Sequence, residues 1–137
     1  MTIQPYLFFN GRCEEAILFY RSAIGATDVT LMRNRESPEP PPPGCMAPGM
    51  EDKILHGSFR VGDATVLASD GMTLGKATFA GFALSLIVPT PAEAETRFQA
   101  LAQEGQVTMP LGKTFFSPAF GMVTDRFGVP WMVYVAP

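Results

Sequence analysis

The sequence is poor in side chains that bind metals or form disulfides. Its 137 residues include one histidine, His56, and two cysteines, Cys13 and Cys45. A zinc-type centre takes three or four ligands, so His56 alone cannot build one. Without a secretion signal, the two cysteines are expected to be free thiols. With no second histidine to activate them, neither thiol is expected to act as a nucleophile.

Clustered positive charge and long apolar runs are also missing. The formal net charge is −3, and the lysines and arginines are scattered, whereas nucleic-acid binding needs clustered cations. Apolar runs are shorter than the ~20 residues of a membrane-spanning helix. The first residues lack the basic patch and apolar core of a signal peptide. These features predict a cytoplasmic protein that binds neither nucleic acid nor membranes.

Apolar residues are abundant, at 47% of the chain, which predicts a folded core. We expect one domain over residues 1–137, built from an internal repeat. Module one would cover residues 1–70, and module two would cover residues 80–137.

The first helix is predicted over residues 13–24, after a start at Asn10. Apolar residues recur there at three- and four-residue spacing and make one stripe along the helix. Gly25 follows and can adopt the left-handed conformation that often ends a helix.

The second helix is predicted over residues 91–104. Thr90 and Glu93 have the spacing of a capping box, and Pro91 stands at a position where helices tolerate proline. Gly105 is expected to end this helix, as Gly25 ends the first.

Strand patterns surround each helix in the same order, β-α-β-β-β. This duplication predicts an α+β fold in which two modules form a curved eight-stranded half-barrel. The predicted strands span residues 3–9, 27–33, 53–60 and 64–69 in module one, and residues 82–88, 107–115, 120–124 and 129–135 in module two.

Two segments between strands have distinct compositions. Residues 36–50 are rich in proline, which cannot donate to a sheet ladder, so we expect a loop with polyproline II at residues 40–43. That loop is either a surface insertion or a lid. Residues 124–128, which begin with the polar stretch 124–126, are interpreted as a hairpin corner, in which Asp125 bonds its own turn and Gly128 adopts positive φ.

Several motifs resemble one family. They are PYLFFNGRCEEA at 5–16, PGMEDK at 48–53, His56, GFALSL at 81–86 and FGMVTDRFGVPWM at 120–132. Together they resemble the vicinal oxygen chelate superfamily of glyoxalases, bleomycin-resistance proteins and dioxygenases, and its PhnB-like branch in particular. Some members of that branch are called demethylubiquinone methyltransferases. The glycines at 57, 62, 71, 75 and 81 do not form the Gly-rich turn of a nucleoside cofactor site.

The resemblance implies a place for a divalent metal, held by His, Gln or Glu on four strands. In this sequence the matching places carry Pro5 (beside Gln4), Val66, Phe82 or Ala83, and Met132. None is a ligand for a hard metal, and Met132 offers a thioether at best. We therefore predict no metal and no cofactor.

Two interpretations of His56 stay open. On an extended strand residues 54, 56, 58 and 60 share a face, and residues 55, 57, 59 and 61 share the face predicted to lie under a helix. His56 is either a hydrogen-bonded structural residue or a pocket residue that donates or transfers a proton. It is the candidate catalytic residue, should there be catalysis.

The candidate ligand-binding residues would line the concave sheet. If the superfamily's inward face is kept, Met132 and Tyr134 point into the cavity, and Trp131 points away from it. The full candidate set is Tyr6, His56, Ser69, Phe116, Met132 and Tyr134.

Three functions stay open at this point. The favoured one is a metal-free PhnB-like protein that binds an unknown small molecule in the concave cavity, with or without catalysis. The second is a metal-dependent lyase, isomerase or dioxygenase that pools Gln4 and His56 across a dimer. The third is a drug-sequestering protein. The resemblance also implies a homodimer.

Overall fold

The structure, a computed structural model, describes residues 1–39, 42, 44 and 46–137. The chain divides into two compact units, Met1–Ala77 and Thr78–Pro137. The polyproline II prediction falls mostly on residues 40, 41 and 43, which lie outside the described residues. The free-thiol prediction for Cys45 lies outside them as well.

The first unit has the predicted order of elements. They are β1 (Tyr6–Phe8), α1 (Cys13–Ile24), β2 (Thr27–Arg33), a short 3-10 helix (Asn34–Glu36), β3 (Ile54–Val61) and β4 (Ala64–Ser69). The sheet order is β1-β4-β3-β2, in which β1 runs parallel to β4 and the other pairs are antiparallel.

The second unit repeats this topology. Its elements are β5 (Leu84–Val88), α2 (Pro91–Ala102), β6 (Gln106–Gly112), β7 (Phe120–Thr124) and β8 (Pro130–Val135). The sheet order is β5-β8-β7-β6, again with one parallel pair, β5 and β8. The predicted pattern β-α-β-β-β, present twice, is thus confirmed.

Helix α1 buries one face on the first sheet. Ile17 and Tyr20 are fully buried, and the Tyr20 ring lies 5.5 Å from that of Phe59 on β3. At Gly57 an added Cβ would lie 3.3 Å from Ile17, so the missing side chain lets the helix approach the sheet. The helix ends as predicted, because Gly25 takes the left-handed conformation with φ 70°.

Helix α2 begins as predicted but ends two residues early. The Thr90 hydroxyl accepts a hydrogen bond from Glu93 N at 3.2 Å, whereas the Glu93 carboxylate accepts one from Arg97. The left-handed residue after the helix is Glu104, with φ 58°, and not Gly105. Glycine is needed at position 105 for a steric reason, because a Cβ there would collide with the Thr124 carbonyl oxygen.

The predicted faces of β3 are correct in the middle of the strand and wrong at its start. Gly57 and Phe59 are buried towards the helix, and His56 is exposed. At the start Ile54 is buried and Leu55 is exposed, the reverse of the prediction. A register irregularity beside Arg33 on β2 disturbs the two-residue alternation at this point.

The corner at residues 124–128 is a hairpin turn, as predicted. Asp125 is buried, and its Oδ1 accepts hydrogen bonds from Phe127 N at 2.8 Å and Val129 N at 3.1 Å. Its Oδ2 accepts one from the indole Nε1 of Trp131 at 2.8 Å. Gly128 has φ 90°, a conformation that favours glycine.

The described end of the proline-rich segment is tied to the first unit. Asn34 Nδ2 donates to Met50 O at 2.7 Å, and the Met50 side chain is fully buried.

Among the residues that the structure describes, neither α1 nor α2 is long and apolar enough to cross a bilayer.

Candidate functional site

Each sheet has one face that its own helix leaves uncovered, here called its open face. On β8, Trp131, Val133 and Val135 are buried towards α2, while Met132 and Tyr134 are half-buried on the open face. This is the alternation predicted for the last strand.

Cross-strand pairing arranges the open face of the second sheet in two rows. The first row pairs Met132 with Ser85 on β5 and with Met122 on β7, and Met122 with Met109 on β6. The second row pairs Tyr134 with Ile87 on β5 and with Phe120 on β7. Sulfur and aromatic rings therefore occupy adjacent rows.

A groove of about 390 Å³ opens on this face. Side chains of both rows line it together with residues from outside the sheet. The lining residues are Ser85, Phe116, Phe120, Met132, Tyr134 and Pro137.

The aromatic rings of the groove follow one another, Phe116 edge to face with Phe120 and Phe120 tilted against Tyr134. The Phe116 and Phe120 rings lie 5.1 Å apart at 74°, and those of Phe120 and Tyr134 lie 6.2 Å apart at 53°. Such tilted pairs are the favoured geometry for aromatic side chains. The wall is therefore a continuous run of three rings.

The loop that carries Phe116 is anchored to the sheet. Thr114 Oγ1 accepts from Ser117 N at 3.0 Å, which closes a local turn. The buried Ser117 hydroxyl lies 2.6 Å from Val135 O and 2.7 Å from Ala119 O, so its single O–H can donate to either carbonyl. Phe116 is thus held beside the end of β8.

The candidates of the first unit form a different cluster. The Tyr6 and His56 rings lie 6.0 Å apart, and Tyr6 also contacts Phe8 with ring centroids at 4.9 Å. His56 is exposed and pairs across the sheet with Met32. These residues lie on the open face of the first sheet.

Ser69 belongs to neither group of side chains. It is buried at the end of β4, and its hydroxyl accepts from Gly71 N at 3.1 Å. Among the six candidates, the groove thus joins Phe116, Met132 and Tyr134, and the first sheet joins Tyr6 and His56.

The groove also contains three residues outside the predicted candidate set, Ser85, Phe120 and Pro137. Ser85 lies opposite Met132 in the parallel pair of β5 and β8. The alternation of β5, in which Ser85 and Ile87 are exposed and Leu86 is buried, indicates that Ser85 lies on the open face. Its position opposite Met132 cannot be predicted from this alternation, because it depends on the register between two strands far apart in the chain.

Asp70 is a buried carboxylate with a structural role. Its Oδ1 accepts from Gly11 N at 2.7 Å and from Cys13 N at 2.8 Å, and its Oδ2 accepts from Ile54 N at 2.8 Å. Three backbone donors satisfy the carboxylate, so it fixes the start of α1 to the start of β3.

Cys13 is a free thiol, as predicted, and it is buried. Burial raises its thiol pKa far above the usual value, and the negative charges of Asp70 and Glu14 raise it further. The thiol therefore stays protonated at neutral pH, whereas a nucleophilic cysteine needs the thiolate.

The places that the superfamily uses for a metal carry unsuitable residues. Val66 is buried towards the helix, and Met132 presents a soft thioether to the groove. Within the described part of the chain, no three His, Cys, Asp or Glu side chains lie close enough to share an ion. The residues present do not fit a hard divalent ion.

Two known proteins are similar to this chain over nearly its whole length. Protein YjdN of Escherichia coli K12 is 36% identical over 142 residues, which cover 98% of this chain and 95% of that protein. The crystal structure of PA1353 from Pseudomonas aeruginosa is 42% identical with a TM-score of 0.85, over 99% of this chain and 98% of that one.

More distant structures share the fold. A PhnB protein from Bacillus cereus, described as a putative 3-demethylubiquinone-9 3-methyltransferase, is 28% identical with a TM-score of 0.77, over 99% of this chain and 100% of that one. A glyoxylase/bleomycin resistance protein/dioxygenase domain from Frankia is 12% identical with a TM-score of 0.71, over 100% and 98% of the two chains. The predicted resemblance and the predicted α+β fold class are confirmed.

The family model described as 3-demethylubiquinone-9 3-methyltransferase matches residues 1–134. That match covers both units, and it includes the groove residues other than Pro137. The chain therefore belongs to the PhnB-like family that carries the description 3-demethylubiquinone-9 3-methyltransferase.

Proposed function

We propose that this protein binds a small organic molecule in the groove on the open face of the second sheet, without a metal ion. The observation that carries the proposal is the groove itself, which collects three aromatic rings, a thioether and two hydroxyl groups. Its volume, about 390 Å³, is in the range of small-molecule sites.

The groove has the preformed walls that a binding site needs. Ser117 anchors the loop of Phe116 to the end of β8, and cross-strand pairing fixes Phe120 beside Tyr134. A ligand would therefore pay little entropy to order the wall, which leaves more of the contact energy for affinity.

The chemistry of the lining supports binding rather than a defined reaction. Ser85 and Tyr134 are the polar side chains of the groove, and neither has an acid, a base or a cation beside it in the lining set. Nucleophilic or acid–base catalysis would need such a neighbour. Binding without bond change, as in a drug-sequestering protein, is consistent with this set.

The family description names a methyltransferase, but the proposal does not include methyl transfer. The two strand-to-helix connections are residues 9–12, with one glycine, and residues 89–90, with none. A nucleoside cofactor site at such a turn usually needs several glycines for close backbone approach. Support for a methyl-donor site is therefore lacking at both turns.

Tyr6 and His56 are the candidate ligand contacts of the first unit. Their rings are adjacent, and His56 is exposed on the open face of the first sheet. We propose that His56 can donate a hydrogen bond to a small molecule on this face of the first sheet.

The experiment is a screen of mixed charged and neutral small molecules against ¹⁵N-labelled full-length protein. We expect ligands that raise the melting temperature and shift the amide signals of Ser85, Phe120 and Tyr134. Phe116→Ala is expected to weaken binding about tenfold, since it removes a wall of the groove. Phe82→Ala is the matched control, because Phe82 is an exposed phenylalanine of the same unit and is not a lining residue.

His56→Ala tests the first sheet by itself in the same screen. Loss of affinity for a compound that shifts the amide signal of His56 supports a contact on that sheet, and unchanged affinity removes His56 from the candidates. The absence of any ligand that shifts the groove signals would overturn the proposal. So would a tightly bound stoichiometric metal in purified protein, measured by mass spectrometry.

A further inference from the structure

We infer that the groove selects an uncharged aromatic molecule that carries a hydrogen-bonding substituent. This inference rests on the proposed function and names the ligand class for the same groove. It follows from three features of the lining: its lack of charge, its ring geometry and its neighbouring row of methionines.

No side chain that lines the groove carries a charge. The structure describes every residue of the second unit, and none of its charged side chains belongs to the lining set. Asp125 is buried and bonded to Trp131, and Arg126 pairs with Glu104 at 3.0 Å. An ionised ligand would lose hydration in the groove without a charged side chain in the lining to pair with, which costs affinity.

Ring geometry favours a planar aromatic ligand. Phe116, Phe120 and Tyr134 form a run of tilted rings, and a further ring can stack on or tilt against the last of them. Aromatic contacts of this kind add affinity beyond the burial of apolar area. An aliphatic ring of the same size would obtain the burial alone.

The row of methionines also favours an aromatic ligand. Met132 lines the groove, and its cross-strand neighbour Met122 pairs in turn with Met109. Thioether sulfur is polarizable and contacts aromatic edges favourably, and the unbranched side chain adapts to the ligand shape. Ser85, opposite Met132, supplies a hydroxyl for the polar substituent.

Three probes of similar size separate these contributions. Benzamide is neutral and aromatic, benzoate is aromatic but ionised at neutral pH, and cyclohexanecarboxamide is neutral but aliphatic. Each is titrated into ¹⁵N-labelled full-length protein at neutral pH, and the groove signals give the dissociation constant. We expect benzamide to bind at least tenfold more tightly than benzoate and about threefold more tightly than cyclohexanecarboxamide.

A pair of matched variants tests the part played by sulfur. Met132→Leu keeps the volume but removes the thioether, so the preference for benzamide over cyclohexanecarboxamide should fall about threefold. Met109→Leu makes the same change in the same row outside the lining set, so it should leave that preference unchanged.

The outcomes distinguish this inference from the proposed function. If benzoate or cyclohexanecarboxamide binds as tightly as benzamide, the ligand class is wrong while binding in the groove stands. If neither these probes nor any compound of the mixed screen shifts the groove signals, the proposed function and the inference both fail.

Discussion

Asp70, which follows the last residue of β4, accepts a hydrogen bond from the backbone N–H of Cys13, the first residue of α1, at 2.8 Å. The same carboxylate accepts from Gly11 N and Ile54 N. One buried side chain thereby joins the start of the helix, the connection before it and the start of β3. The negative charge also suits the positive end of the helix dipole.

Asp70→Asn is expected to destabilise the protein by about 3 kcal/mol, since hydrogen bonds to a charged group contribute ~1.5–3 kcal/mol each. The amide can accept on one side, but its NH₂ would face a backbone donor, either that of Ile54 or those of Gly11 and Cys13. Urea unfolding gives the change. Asp52→Asn is the control, because the Asp52 side chain is 77% exposed. Equal small effects at both positions would contradict the anchoring role.

Gly105→Ala is expected to cost about 1–3 kcal/mol, the usual cost of overpacking. A Cβ at Gly105 would overlap the Thr124 carbonyl oxygen, and backbone atoms cannot move aside as a flexible side chain can. Gly112→Ala is a matched control in the same unit, because a Cβ there meets nothing within 4 Å. Thermal unfolding of both variants measures the difference, and a Gly105→Ala protein as stable as the Gly112→Ala protein would refute this explanation.

Much of the fold could be predicted because apolar periodicity and glycine position encode it locally. Helix α1 and strands β2, β4 and β7 have the predicted bounds. Strand β6 ends three residues before its predicted end, since the hydroxyl of Thr114 closes a turn with Ser117 instead of joining the ladder. Such competition between a side chain and the sheet depends on geometry that the pattern does not contain.

The candidate site was predicted less completely than the fold, because part of it depends on contacts between separate segments of the chain. Alternation along β8 was enough to place Met132 and Tyr134 on one face. Ser85 needed the register of a parallel pair, and the role of Asp70 needed the approach of three separate backbone segments. Neither is a periodic property of one segment. The single-domain organisation, the cytoplasmic location and the lid interpretation of residues 36–50 stay predictions.

The pair of Glu14 and Arg33 predicts a pH-dependent stability. Hydrogen bonds from Arg33, at 2.8 and 3.1 Å, hold the pKa of Glu14 below its ordinary value of 4.5, and the positive charges of Arg33 and Lys53 add to the effect against the opposing effect of burial. The folded state thus favours the ionised carboxylate. Its contribution is present above pH 4.5 and is lost as the pH falls through the lowered folded-state pKa.

Glu14→Gln should therefore cost about 0.5–1 kcal/mol at pH 7, a small value because solvent screens a side chain that is 41% exposed. The difference from the wild type should shrink towards zero in strongly acidic buffer. Glu15→Gln is the control on the same helix, since Glu15 pairs with Arg12 where both side chains are about half exposed. A Glu14→Gln difference that is constant with pH would contradict the proposed pairing.

We propose that two copies of the chain form a homodimer, as the family resemblance implies. Large apolar side chains on edge strands of both sheets are exposed, among them Phe8 on β1 at 53% and Ile87 on β5 at 57%. Burial of such residues against a second copy would be favourable. Light scattering during gel filtration should give twice the chain mass of 14.8 kDa. A monomeric mass at micromolar concentration would reject the dimer.

Asp125→Ala is expected to destabilise the second unit by about 3 kcal/mol or more. The change leaves the backbone N–H groups of Phe127 and Val129 and the indole N–H of Trp131 without their acceptor, and each unpaired buried donor costs ~1–3 kcal/mol. Asp63→Ala is the matched control, since Asp63 is the exposed aspartate in the corresponding hairpin turn of the first unit.

The single tryptophan reports this change directly. Because its indole N–H is bonded to Asp125 and its ring is buried, Trp131 emission should shift to longer wavelength in the Asp125→Ala protein and not in the Asp63→Ala protein. Trp131→Phe leaves the backbone bonds of the turn intact: it keeps a smaller aromatic ring and removes the bond to Oδ2 together with part of the indole packing. It should therefore cost less than Asp125→Ala, and a Trp131→Phe protein that is the less stable of the two would show that packing of the indole, rather than the carboxylate, holds this hairpin.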